Sequence, residues 1–169
     1  MIPVGVIMGS DSDFKVMEET LDILDHFHVL YEVKVSSAHR SLDQTINWVK
    51  EFEGQGGTLI IAAAGLAAHL PGVIAGATTL PVIGVPIRSG ALEGVDALYS
   101  IVQMPPGIPV AAVGIGAARN AGILAVQILA QGDNGLRQAM KDLRTKMAAD
   151  VEAKDGIIQD RLKKKTQAE

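Results

Sequence analysis

The sequence predicts one three-layer α/β domain, doubly wound about a parallel sheet and followed by a long C-terminal helix. Two observations predict it. Apolar β-like runs recur at Val4–Met8, Val29–Val35, Thr58–Ala62, Leu80–Val85 and Val110–Ile115, and helical patterns separate them. Strands that alternate with helices need crossover connections, which give a parallel sheet covered on both faces. At 169 residues the chain reads as a single domain, with a sheet core over about 3–131 and a helical extension over about 134–165.

The first helix follows the first strand, and Phe14, Met17, Leu21 and Leu24 fall on one of its faces. Leu42, Ile46, Val49 and Phe52 do the same for the second. The segments after the third and fourth strands, Ala67–Ala77 and Leu92–Gln103, are richer in small residues and give weaker helical patterns. Gly94-Val95-Asp96 starts the latter, and Pro105-Pro106-Gly107 ends it by removing backbone donors. Beyond the fifth strand, Ala117–Ala130 is an Ala-rich helix whose small side chains permit close packing. Gly132-Asp133-Asn134-Gly135 reads as a turn. Leu136, Met140, Leu143, Met147 and Val151 then form a stripe that should pack on the domain or on a neighbouring subunit, and the Lys- and Gln-rich end should fray.

Charge and composition exclude several classes. There is no cysteine, which removes disulfides, thiolate nucleophiles and cysteine-based metal sites. The start, Met1-Ile2-Pro3-Val4, carries no basic region ahead of an apolar stretch, so a cytoplasmic protein is expected. Net charge is −4, with six basic residues in 1–132 and nine in 133–169, the latter mixed with seven acids as on a solvated helix. No basic stripe with interleaved aromatics argues for nucleic acid, although Lys163-Lys164-Lys165 could touch a polyanion. Gly54–Ile87 holds no formal charge, yet Gly65, His69, Pro71, Pro81 and Pro86 cut it into pieces too short for a membrane span. Ala97–Ala118 is charge-free as well, and two such stretches exceed the needs of a monomer's core. A homo-oligomer is expected.

The candidate chemistry lies in loops after the strands, where open α/β sheets bind ligands. Gly9-Ser10-Asp11-Ser12-Asp13 leads into the first helix with capping-box spacing between Ser10 and Asp13. Two hydroxyls and two carboxylates exceed one cap, and helix N-termini also hold phosphate or hydroxyl groups. Ser37-Ala38-His39-Arg40 supplies a proton-exchanging imidazole beside a forked phosphate donor. Alternatively, Ser41 caps the next helix and His39 and Arg40 are only loop residues. His69, within Ala67-Ala68-His69-Leu70-Pro71-Gly72, sits in an uncharged setting typical of a hydrogen-bonded core histidine, with at most a supporting role. His26 and His28 close the first helix and complement its negative end. Gly114-Ile115-Gly116 lies between strand and helix, but Arg119 occupies the third glycine's place in a dinucleotide fingerprint. No P-loop or metal-spaced cluster occurs, and a triad of Ser10, His39 and Asp13 uses residue types too common to count.

Taken as a set, Gly9-Ser10-x-Ser12-Asp13, Ser37-Ala38-His39-Arg40, Ala64-Gly65-x-Ala67-Ala68-His69-Leu70-Pro71-Gly72, Gly84-Val85-Pro86 and Ser100-Ile101-Val102-Gln103-Met104-Pro105-x-Gly107-x-Pro109-Val110 appear in order. In this the chain resembles the 5-(carboxyamino)imidazole ribonucleotide mutases of purine biosynthesis, over roughly residues 4–130. The resemblance implies a flavodoxin-like sheet and an isomerase that moves a carboxyl group from an exocyclic amine to a ring carbon. Decarboxylation, retention of carbon dioxide and recarboxylation would occur in one closed site, without metal, nucleotide or organic cofactor. It implies that His39 transfers the proton, that Ser10, Ser12, Asp13, Ser37 and Arg40 bind the ribonucleotide, and that Ala64, Gly65 and His69 wall the site. It also implies an octamer. Leu66 stands where many relatives have a second glycine, and Ala112 where a threonine is frequent. The nearest rival is a carboxylase of the same fold that adds free carbon dioxide to aminoimidazole ribonucleotide, but Ser100–Val110 is mutase-like. A rival of another class is a non-catalytic flavodoxin-like nucleotide-binding module.

Overall fold

A computed structural model describes residues 2–166. Five parallel strands form one sheet in the order β2-β1-β3-β4-β5: β1 (Val4–Met8), β2 (Tyr31–Val35), β3 (Leu59–Gly65), β4 (Val82–Ile87) and β5 (Ala111–Ala112). The helices are α1 (Phe14–His26), α2 (Leu42–Gly54), α3 (Leu70–Ala75), α4 (Val95–Val102), α5 (Ala118–Leu129) and α6 (Asn134–Thr166). Contacts divide the chain into two compact units, Met1–Leu129 and Ala130–Glu169. The first holds the sheet and α1–α5; the second is built on α6.

The three central strands are buried on both faces, so their sequences read as continuous apolar runs. Val4, Ile7, Met8, Leu59, Ile60, Ile61 and Ile83 are wholly buried, and each such side chain removed from water contributes about 1.5–3 kcal/mol. β1 matches its expected limits. β3 and β4 run past theirs, to Gly65 and Ile87, because Ala62, Ala63 and Ala64 are small enough to continue the central ladder against Gly84, Val85 and Pro86. At Gly84 a β-carbon would lie 2.4 Å from Cγ2 of Ile101, so the missing side chain is what lets α4 lie on β4.

Two expected strands are shorter. Val29 and Leu30 precede β2 rather than joining it, and β5 is confined to two residues where Val110–Ile115 was expected. Pro109 has no donor to offer a ladder, and Gly116 turns the backbone to a φ of +69°. The Val113 amide still donates to the Gly84 carbonyl at 3.1 Å, and that of Gly116 to Pro86 at 2.9 Å, which keeps the segment beside β4.

Helix faces differ in detail from the apolar stripes. On α1 the buried set is Met17, Thr20, Ile23 and Leu24; Phe14 is exposed and Leu21 half-buried. On α2 it is Thr45, Val49 and Phe52, with Leu42 exposed. The threonines are inside because their hydroxyls are satisfied there. Thr20 Oγ1 donates to the Ala118 carbonyl at 2.7 Å and Thr45 Oγ1 pairs with Ser36 Oγ at 2.8 Å. Small residues do let α5 approach α1, as expected: a β-carbon on Gly122 would stand 2.9 Å from Cβ of Ile23.

In the second unit Asp133 is a helix cap rather than part of a free turn. Its Oδ1 accepts from the amides of Gly135 and Leu136 at 2.7 and 3.0 Å. Along the expected stripe Met140 is buried, whereas Met147 and Val151 are exposed. Lys163-Lys164-Lys165, expected to fray, is helical, and residues 167–169 lie outside those described. No helix among the described residues is long and apolar enough to cross a membrane.

Candidate active site

The chain leaves β1 towards β2 on one side and places β3 on the other, so the sheet changes direction between β1 and β3. Ligand crevices of such sheets lie beyond the strand ends at this switch. A cleft of about 480 Å³ lies there, a size that suits a small organic ligand. All nine residues singled out from sequence line it: Ser10, Ser12, Asp13, Ser37, His39, Arg40, Ala64, Gly65 and His69.

The loop after β1 is fixed first. The Gly9 amide donates to Ala63 at 3.0 Å, carrying the β1–β3 pairing one step beyond the strand. A 3-10 turn over Asp11–Asp13 follows, closed by the expected capping box. The Ser12 amide donates to Ser10 Oγ at 3.3 Å, and the Ser10 amide donates to Asp13 Oδ2 at 3.2 Å. Burial pushes the Asp13 carboxyl above its usual range, partly opposed by the Ser10 amide and the Ser12 side chain. Ser12 Oγ donates to Ser10 Oγ at 2.8 Å, leaving two hydroxyls and a shielded carboxyl at one wall.

The loop after β2 is held by the hydroxyls of Ser36, Ser41 and Thr45. Ser41 occupies the N-cap position of α2 but makes no side-chain cap, contrary to the simple expectation. Its Oγ instead accepts from the Ser37 amide at 3.2 Å and donates to the Ser37 carbonyl at 3.1 Å. Ser36 Oγ joins it at 3.2 Å and is itself tied to Thr45. This web fixes the ends of a tight turn whose tip presents His39 and Arg40. Both are exposed, and Arg40 Nη2 donates to the Gly9 carbonyl at 3.4 Å across the two loops.

His69 is not a core histidine. It lies exposed at the start of α3, and its Nδ1 stands 2.7 Å from Nε2 of His39, with the rings edge to face at 4.8 Å. One of the two nitrogens must carry a hydrogen and the other a lone pair, so the pair holds a proton in common. By contrast, His26 and His28 are remote from the cleft lining; His26 ends α1 and meets the Phe27 ring edge-on at 5.0 Å.

The cleft therefore has a cation at Arg40, acceptors at Asp13 and the two serines, a pair of imidazoles, and an apolar side from Ala64 to Ala67. The AIR carboxylase family model matches residues 3–150. The chain belongs to that family. Among AIR carboxylase relatives, the N5-carboxyaminoimidazole ribonucleotide mutase of Pyrococcus abyssi is 53% identical over 147 residues, 87% of this chain and 84% of that one. The phosphoribosylaminoimidazole carboxylase of Schizosaccharomyces pombe is 51% identical over 144 residues, 85% of this chain but 26% of that longer protein. The crystal structure of Treponema denticola PurE superposes with a TM-score of 0.84 at 29% identity, covering 90% of this chain and 96% of the other.

Sequence reasoning missed Ser89 and underrated Leu66. Ser89 reaches the cleft from the loop after β4, and its buried Oγ has no hydrogen-bond partner. Leu66 lines the cleft at a φ of +54°, a left-handed conformation that costs a non-glycine residue about 1–3 kcal/mol. Its only sequence signal was its place in a motif where glycine is common.

Proposed function

We propose that this chain is an isomerase of de novo purine biosynthesis, converting 5-(carboxyamino)imidazole ribonucleotide to 4-carboxy-5-aminoimidazole ribonucleotide. The observation that carries the reading is the His39–His69 pair at 2.7 Å, set between an anion-binding side and an apolar side of one cleft. Arg40 offers a forked donor to the phosphate, while Ser10, Ser12 and Asp13 offer groups to the ribose hydroxyls, with Ser37 beside them.

The reaction then needs little beyond a proton carrier and a dry enclosure. The bond between the exocyclic nitrogen and the carboxyl carbon breaks, its electron pair returns to nitrogen, and His39 supplies the proton that nitrogen gains. Carbon dioxide stays beside the ring against Ala64 and Gly65. The ring carbon attacks it, a carbon–carbon bond forms, and His39 takes the proton that the ring carbon loses. Atoms balance without a co-reactant, since one proton and one carboxyl group exchange places. His69 holds the shared hydrogen bond and orients the His39 ring. Exclusion of water protects carbon dioxide from hydration.

Assembly is part of the proposal. Leu92, Val95, Tyr99 and Val102 are 61%, 43%, 61% and 49% exposed along and just before α4, an apolar face suited to burial between subunits. We read a closed homo-oligomer, an octamer, located in the cytoplasm. The carboxylase alternative is kept open by the identity with the Schizosaccharomyces pombe protein. Assaying each ribonucleotide with limiting bicarbonate separates the two. The mutase reading expects rapid conversion of the carboxyamino compound; conversion of aminoimidazole ribonucleotide alone, in proportion to bicarbonate, establishes the carboxylase, and binding without turnover establishes a binding module.

A further inference from the structure

Two loops leave the sheet side by side, one after β3 and one after β4, continuing the register that pairs Gly65 with Ile87. They touch at two successive points. At Gly65 a β-carbon would stand 2.5 Å from Ser89 Oγ, and at Gly90 one would stand 2.7 Å from Cδ2 of Leu66. Leu66 and Gly90 are both left-handed, at φ +54° and +64°. A leucine in that conformation is uncommon, because its β-carbon crowds the following carbonyl. An outlier of this kind at a ligand cleft points from geometry to function.

The same side chain is 54% exposed while lining the cleft. Leu66 thus presents bare apolar surface to whatever enters, on the loop that also carries His69. We infer that Leu66, clasped against Gly90, governs retention of carbon dioxide: it closes the apolar side of the cleft between the β3 and β4 loops while the carboxyl group is off the ribonucleotide. Carbon dioxide is small and nonpolar and offers few groups to hold, so its confinement depends on steric cover rather than on a binding group. The hydroxyl of Ser89, buried and unpartnered behind Gly65, makes the seam between the loops tight at its inner end. Glycine at position 90 admits the leucine methyl, and a β-carbon there would push Leu66 off the seam.

The inference rests on the isomerase reading and is tested apart from it. Ribonucleotide labelled in the carboxyl carbon is turned over in unlabelled bicarbonate, and the label kept in the recovered products is compared with label released, corrected for spontaneous loss. Wild type should keep most of it. Leu66→Asn tolerates the left-handed backbone but removes the apolar cover; it should release roughly tenfold more label per turnover, equivalent to ~1.4 kcal/mol of lost confinement. Leu66→Met, of similar volume, should restore retention, and Gly90→Ala should leak although it replaces no residue that lines the cleft. Leakage from Leu66→Asn equal to that of wild type overturns the role of the clasp and leaves the reaction standing. A wild type that moves no carboxyl group overturns the reaction itself, and the clasp's role with it.

Discussion

His39 Nε2 and His69 Nδ1 share a hydrogen bond of 2.7 Å although thirty positions separate them in the chain. The β2 and β3 loops meet at this contact, and under the proposed isomerase reading His69 positions His39. Replacing His69 by Ala frees the His39 ring to turn, and small misplacements of a reacting group cost up to about 10²-fold in rate. Steady-state kinetics should show kcat falling while KM changes little, with the thermal midpoint held because His69 is exposed. A rise in KM alongside the fall in kcat, together with an early melt, would make His69 merely structural.

Arg40 is the cation of the cleft lining. Arg40→Ala should weaken the ribonucleotide by much more than the unphosphorylated riboside, measured by calorimetry, and added salt should weaken wild-type binding in the same sense. Equal losses for both ligands would remove the phosphate from Arg40.

For Asp13 the direction of the shift sets the sign. Burial raises its carboxyl in the folded protein above 3.8, so the folded state holds this proton more tightly than the unfolded chain does. That advantage is present in acid and is lost as pH rises through the raised value. Asp13→Asn keeps an acceptor for the Ser10 amide, and chemical denaturation should find it at least as stable as wild type at pH 7, with its relative advantage shrinking towards pH 3. Ribonucleotide binding should weaken. A wild type that gains on the variant as pH rises would contradict the burial argument.

Assembly is checked at Tyr99, which is 61% exposed on α4. Tyr99→Glu puts a charge on the apolar face and should lower both the mass seen by light scattering and the turnover. A fully active wild-type monomer at micromolar concentration would remove the oligomer from the account.

The sheet was legible because β1, β3 and β4 are buried on both sides and so carry unbroken apolar runs, and β1 matches its expected limits. The short β5 was not, because Pro109 and Gly116 act through backbone geometry that an apolar run conceals. Thr20 and Thr45 lie outside the apolar stripes, yet a threonine enters a core once its hydroxyl is paired. Seven of the nine expected cleft residues stood in loops legible after strands, whereas Ala64 and Gly65 end β3 and were expected as site residues only from the family resemblance. What no local pattern discloses is their pairing: His69 read alone resembles a core residue, and only the parallel order of β1, β2 and β3 brings it to His39. Ser89 carried no signal, since its role depends on Gly65 lying beside it.

The most direct test follows the carboxyl carbon itself. With the ribonucleotide labelled there, carbon NMR distinguishes a carboxyl on nitrogen from one on the ring carbon, and saturation transfer reports whether the ligand is bound. Wild type should move the label from nitrogen to carbon, while His39→Asn should bind the ribonucleotide and slow that movement by about 10²- to 10⁴-fold, the usual contribution of a positioned acid–base group. A His39→Asn variant that moves the label at the wild-type rate would contradict the account.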